Sequence, residues 1–127
     1  MERLILIIDD EPSVKDILEL MIDHLNYEVL SCNSYKEALN LYSNEFESDN
    51  IFLILLDYNI PNESFLGTAK EIKEKYNIDV VAITGGLSNQ ENENNLNENK
   101  NVFKVLKKPI TINDLEKIIR EVMDKYL

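Results

Sequence analysis

A chain of 127 residues with 44% hydrophobic content is long enough for one domain with a buried core, and one domain over residues 1–127 is expected. Its 24 acidic against 13 basic side chains leave a formal charge of -11, a field that repels phosphate backbones and anionic lipid surfaces, so direct nucleic-acid binding is not expected. A lone cysteine, Cys32, excludes an internal disulfide; no basic-then-apolar leader opens the chain and the apolar runs are too short to cross a bilayer, so a cytoplasmic protein without membrane insertion is expected.

In chain order, Leu4-Ile5-Leu6-Ile7-Ile8 reads as a short strand buried on both faces, closed by Asp9 and Asp10. Pro12 suits a first helical turn, and Val14, Ile17, Leu18, Met21 and Leu25 recur at helical spacing as a core-facing stripe. Residues 27–31 predict a second strand. Ser34 with Glu37 then forms a capping-box pattern, opening a helix whose Ala38, Leu41 and Tyr42 share a face. The third strand, Ile51-Phe52-Leu53-Ile54-Leu55-Leu56, ends on Asp57. Beyond Pro61 a helix carries Phe65, Ala69, Ile72 and Tyr76 inward, and a fourth strand, Asp79-Val80-Val81-Ala82-Ile83, ends on Thr84. From Asn89 to Asn101 the chain is nearly all Asn, Glu and Gln; asparagine is up to roughly 0.7 kcal/mol per residue worse than alanine in a helix, so a weak helix held through Leu87 and Leu96, or a long loop, is expected. The fifth strand, Val102-Phe103-Lys104-Val105-Leu106, leads to Lys108. Thr111 caps a last helix with Asp114 three residues on and Ile112, Leu115, Ile118, Ile119, Val122 and Tyr126 inward. Alternation of β and α five times is the pattern of a parallel sheet built through crossover helices.

In such a sheet ligands bind outside the carboxyl ends of the strands, where this chain would gather Asp9, Asp10, Asp57, Thr84 and Lys108. Two carboxylates about 4 Å apart repel by roughly 4 kcal/mol at an effective dielectric near 20, so the cluster calls for a cation. Hard oxygen ligands suit Mg²⁺. A carboxylate beside a divalent metal, an ammonium and a hydroxyl can attack phosphorus, because the cations stabilise charge on the transferring oxygens. Phosphoryl transfer onto an aspartate follows.

Four segments, Ile7-Ile8-Asp9-Asp10-Glu11-Pro12, Leu55-Leu56-Asp57-Tyr58-Asn59-Ile60-Pro61, Ile83-Thr84-Gly85 and Lys107-Lys108-Pro109-Ile110, together resemble the response regulator receiver domain, in order and across essentially the whole chain. The resemblance implies an α/β, flavodoxin-like (βα)5 fold, doubly wound about a five-stranded parallel sheet of order 2-1-3-4-5. It implies Asp57 as phosphoacceptor, Asp10 as a direct Mg²⁺ ligand, Asp9 acting through metal-bound water, the Asn59 backbone carbonyl completing the metal site, and Thr84 and Lys108 binding the phosphoryl oxygens. It also implies a sensor histidine kinase or phosphotransfer protein as donor, a downstream protein target as the output, no enzymatic activity beyond self-phosphorylation and autodephosphorylation, and a monomer or a phosphorylation-dependent dimer.

The chain departs from the family pattern in three places. Val105 stands where many receivers carry a switch aromatic, with Phe103 expected on the same side of the strand as a substitute or a core residue; the loop Asn62-Glu63-Ser64-Phe65-Leu66-Gly67 has its acid and glycine later than usual; and the Asn-rich stretch falls on the fourth helix, one wall of the usual output face. Asn59 and Gly86, which flank the phosphoryl position in the family, are small enough to predict unobstructed hydrolysis. His24 is expected as a surface residue and not a phosphorelay histidine, Cys32 as a packing residue, and Lys107 as a solvated neighbour of Lys108. Two other readings share parts of the pattern: a receiver-shaped interaction module that is never phosphorylated, and a phosphohydrolase, which would normally place Asp-x-Asp after the first strand. An N-terminal fragment of a longer response regulator is a further alternative to a stand-alone receiver.

Overall fold

The computed structural model describes residues 4–85 and 95–125. Five parallel strands, β1 (Leu4–Ile8), β2 (Glu28–Cys32), β3 (Ile51–Asp57), β4 (Asp79–Thr84) and β5 (Lys104–Lys107), form one sheet of order β2-β1-β3-β4-β5. Helices α1 (Pro12–His24), α2 (Tyr35–Glu47), α3 (Phe65–Tyr76) and α4 (Ile112–Asp124) connect and flank them. This is the expected doubly wound order, and the expected fifth helix is the fourth described, α4.

The strands divide by position. All residues of β1, β3 and β4 are buried, which is why their sequences run apolar without alternation. β2 and β5 lie at the sheet edges and are only partly buried. Two cores result. On one face Leu6, Ile8, Ile54, Leu56 and Ala82 meet Ala38 and Phe46 of α2 and Ala69 and Ile72 of α3. On the other, Ile5, Ile7, Leu53, Leu55, Val81 and Ile83 meet Leu18 and Ile22 of α1 and Leu115, Ile119 and Val122 of α4.

The helix starts follow the sequence signals. Ser34 Oγ accepts the Glu37 N–H at 3.1 Å, but the reciprocal arm of the box goes to Asn33, whose N–H donates to Glu37 Oε1 at 3.2 Å. Thr111 Oγ1 accepts the Asp114 N–H at 3.1 Å, and Ser64 caps α3 by accepting from Gly67 at the same distance. Asn77, at the C-cap of α3, and Asn62, in the β3–α3 loop, have φ of 55° and 66°, a left-handed geometry that asparagine tolerates better than most residues.

Several expectations need correction. Ile17 is 53% exposed and Leu41 59% exposed, because the buried stripes of α1 and α2 are narrower than the apolar periodicity. The edge strands shift: β2 begins and ends one residue later than expected, and β5 starts at Lys104. The late start of β5 breaks the alternation assumed for Phe103. Its N–H donates to the Val80 carbonyl at 2.7 Å, and its ring packs with the α1/α4 core while Val105 packs on the opposite face. Phe103 therefore does not substitute for a switch aromatic at Val105. Leu96 is buried as expected, within a helical stretch described over residues 95–97. Gly86, Leu87, residues 89–94 of the Asn-rich stretch and Tyr126 lie outside the described residues. His24 is exposed, and Cys32 is buried with its thiol pushed up to about 12 by burial, which makes it a packing residue with little nucleophilic character.

Candidate functional site

The carboxyl edge of the sheet collects the predicted residues. Asp57 is the last residue of β3, hydrogen-bonded between β1 and β4, and its side chain is 3% exposed. Tyr58 N–H donates to the Ile83 carbonyl at 2.8 Å, and Asn59 N–H donates to Asp57 Oδ1 at 3.3 Å. Asp9 follows β1 directly; its N–H donates to the Cys32 carbonyl at 3.1 Å, and its fully buried carboxylate accepts the Glu11 N–H at Oδ1, 2.9 Å. Asp10 is exposed at the rim. One carboxylate oxygen from each of Asp9, Asp10 and Asp57 lies within 4.8 Å of the others.

Lys108 follows β5, and its N–H donates to the Thr84 carbonyl at 2.8 Å, so the two strand ends hold each other in register. Its Nζ lies 3.1 Å from Glu11 Oε1, 3.4 Å from Asp9 Oδ2 and 3.7 Å from Asp57 Oδ1. Thr84, the last residue of β4, is fully buried. Lys107 is exposed on β5. All the side chains predicted for the site thus share one strand edge, and Asn59 contributes a backbone contact to Asp57.

Electrostatics set the chemistry. Burial raises the Asp57 carboxyl to about 6, the Asp9 charge pushes in the same direction, and the Asn59 N–H and Lys108 oppose them. Burial pulls the Lys108 ammonium down, but its hydrogen bond to Glu11 and the charges of Asp57, Asp9 and Glu11 outweigh this and raise it, so the lysine stays protonated. Among the described residues four acids, Asp9, Asp10, Glu11 and Asp57, gather around one ammonium, and carboxylate oxygens within 4.8 Å of one another repel by at least roughly 3 kcal/mol at an effective dielectric near 20. Asp9 Oδ2 is buried without a hydrogen-bond partner, although Lys108 is near. A buried, underbonded carboxylate oxygen beside two more carboxylates is a donor set that fits a hard divalent cation.

Two further residues escaped the sequence reading. Glu11, at the N-cap of α1, makes no cap hydrogen bond and instead reaches Lys108; its place as a third acid ahead of Pro12 was the available signal. Glu63, in the loop after β3, gives both carboxylate oxygens to α2: Oε1 accepts from Tyr35 N–H at 2.8 Å and Oε2 from Lys36 N–H at 3.0 Å. No sequence signal pairs residues 28 apart.

The response regulator receiver domain model matches residues 5–120. This chain belongs to the response regulator receiver family. A receiver domain protein from Clostridium thermocellum superposes with a TM-score of 0.82 at 25% identity, covering 97% of this chain and 95% of that one. The receiver domain of a Pseudomonas aeruginosa sensor histidine kinase, with magnesium coordinated in its active-site cleft, superposes at 0.78 with 22% identity, covering 98% and 99%, and at that identity supports the fold alone. By sequence, the regulatory protein VanR of Enterococcus faecium is 33% identical over 64% of this chain and 33% of its own length. The autoinducer sensor kinase/phosphatase CqsS of Vibrio cholerae is 33% identical over 66% of this chain and 12% of its own. The receiver chain therefore spans a third or less of these curated relatives. Receivers as a family are phosphoacceptors of two-component signalling that bind Mg²⁺ in an acidic pocket and meet histidine kinases or phosphotransfer proteins.

Proposed function

We infer that this receiver accepts a phosphoryl group from the phosphohistidine of a sensor kinase or phosphotransfer protein onto Asp57, and signals by phosphorylation-dependent protein binding. The observation that carries this reading is a buried Asp57 carboxylate 3.7 Å from Lys108 Nζ and clustered with Asp9 and Asp10. An Asp57 oxygen attacks phosphorus, the new O–P bond forms as the P–N bond breaks, and the imidazole nitrogen keeps the electron pair. Asp9, Asp10, Asp57 and the Asn59 backbone carbonyl would hold Mg²⁺, which neutralises negative charge on the phosphoryl oxygens when bound. Lys108 binds a phosphoryl oxygen as its contacts to Asp57 and Asp9 are exchanged for the new, stronger anion, and Thr84 supplies a hydroxyl from the adjacent strand end. The small Asn59 leaves the phosphoryl group open to water and to autodephosphorylation.

Incubation with acetyl phosphate and Mg²⁺, read by intact mass spectrometry, is expected to add one phosphoryl group to the native chain and none to Asp57→Asn. An unmodified native chain, or an equal adduct on Asp57→Asn, contradicts the reading and favours an interaction module that is never phosphorylated.

A further inference from the structure

Among the described hydrogen bonds, the β3–α3 loop that follows Asp57 is tied to the neighbouring crossover by a single side chain, Glu63. Both Glu63 oxygens are used on the first two N–H groups of α2, Ser34 Oγ takes the third at Glu37, and the Ala38 N–H begins the regular ladder on the Ser34 carbonyl at 2.9 Å. The N–H groups of the first three residues of the helix are therefore all filled, two of them by an acid from a different crossover, in charge-assisted bonds favoured by the helix dipole.

The consequence reaches the acidic cluster from both sides. Towards β1, only Asn33 and Ser34 separate α2 from Cys32, whose carbonyl holds the Asp9 N–H at 3.1 Å. Towards β3, the Glu63 N–H closes a turn on the Ile60 carbonyl at 3.2 Å, Ile60 is buried, and the Asn59 N–H is on Asp57 Oδ1. Asp9, the β2–α2 loop, the first turn of α2, Glu63, the turn at residues 60–63 and Asp57 thus form one hydrogen-bonded circuit around the edge of the cluster. Removing Glu63 opens that circuit at its only link between the two loops among the described hydrogen bonds.

We propose that Glu63 is a positioning residue for the divalent cation: it braces the β3–α3 loop against α2 and so holds the Asn59 backbone at a set distance from Asp9 and Asp10. The proposal rests on the metal site inferred above. It also gives a physical role to the late acid of this loop, whose side chain is long enough to bridge two successive N–H groups.

The test is a Mg²⁺ titration of isotopically labelled protein, followed at the amide signals of Asp10 and Asn59, with amide hydrogen exchange measured on the metal-free protein. Glu63→Ala is expected to weaken Mg²⁺ binding roughly tenfold, the low end of the range seen when groups that orient ligands are removed. Glu63→Gln, which keeps the shape and one acceptor oxygen, is expected to fall between. Ser34→Ala removes a bond from the same helix start but leaves the brace, and is expected to lower thermal stability while changing Mg²⁺ affinity less than about twofold. In the metal-free protein Glu63→Ala speeds exchange at Tyr35, Lys36 and Glu63, whereas Ser34→Ala speeds it at Glu37. Mg²⁺ affinity unchanged in Glu63→Ala, or lowered equally by Ser34→Ala, overturns the brace while leaving the metal site standing. No Mg²⁺ response in the unmodified protein overturns the site and the brace together.

Discussion

At the scale of single residues, the proposed nucleophile sits at a cost to the fold. An unfolded aspartate titrates near 3.9, whereas burial and Asp9 raise Asp57 to about 6. The ionised form is thus disfavoured by folding. The cost is absent below about pH 4, grows as pH rises through about 6 and is complete above it, on the order of 1–3 kcal/mol. Asp57→Asn in metal-free buffer is therefore expected to raise the melting temperature at pH 7.5, with the gain disappearing near pH 4; an unchanged or lowered melting temperature at pH 7.5 contradicts this. Lys108 works in the opposite sense, as the only ammonium within ion-pair reach of Asp9, Glu11 and Asp57 among the described residues. Lys108→Met is expected to lower both stability and the rate of phosphorylation by acetyl phosphate. Adding Asp57→Asn recovers part of the stability but none of the rate, and urea midpoints beside adduct yields separate the two effects.

At the scale of elements, the helices carry their apolar residues in two roles that periodicity does not separate. Leu18 and Ile17 are neighbours in the predicted stripe of α1, yet Leu18 is 1% exposed and Ile17 53%. Leu18→Ala is expected to cost about 2–5 kcal/mol, and Ile17→Lys to stay within about 0.5 kcal/mol, both read as shifts in the urea midpoint. The opposite edge of the sheet has its own clamp. Asp79, buried at the start of β4, lies 3.3 Å from Lys73 of α3 and 2.7 Å from Lys125 just beyond α4, joining helices on opposite faces of the sheet. Asp79→Ala is expected to destabilise by about 1–3 kcal/mol without altering Mg²⁺ affinity, since the strand edge it occupies is remote from the acids.

At the scale of the whole molecule, a formal charge of -11 and a clustered acidic edge predict that divalent cations stabilise the protein in two separable ways. Screening by any salt relieves general repulsion, while occupancy of the site adds RT ln(1 + [L]/Kd), about 1.4 kcal/mol at tenfold above Kd. For a domain of this size that is a rise of roughly 5 °C. MgCl₂ is expected to exceed NaCl at matched ionic strength by that margin, and the excess is expected to vanish in Asp10→Ala. Equal shifts for the two salts would count against a specific site.

The order of elements, the three continuously buried strands and the residues that end them were legible from the amino-acid sequence, because a strand buried on both faces leaves an unbroken apolar run and a polar residue closing it is conspicuous. The caps at Ser34 and Thr111 were legible for a similar reason: their hydrogen bonds are local. Tertiary structure alone decided the rest. The exposure of Ile17 and Leu41, the opposite faces taken by Phe103 and Val105, the Glu11–Lys108 pair and the Glu63 brace depend on groups far apart along the chain and adjacent only once the sheet is wound. Local periodicity names which residues are apolar or acidic. Only packing determines which of them meet.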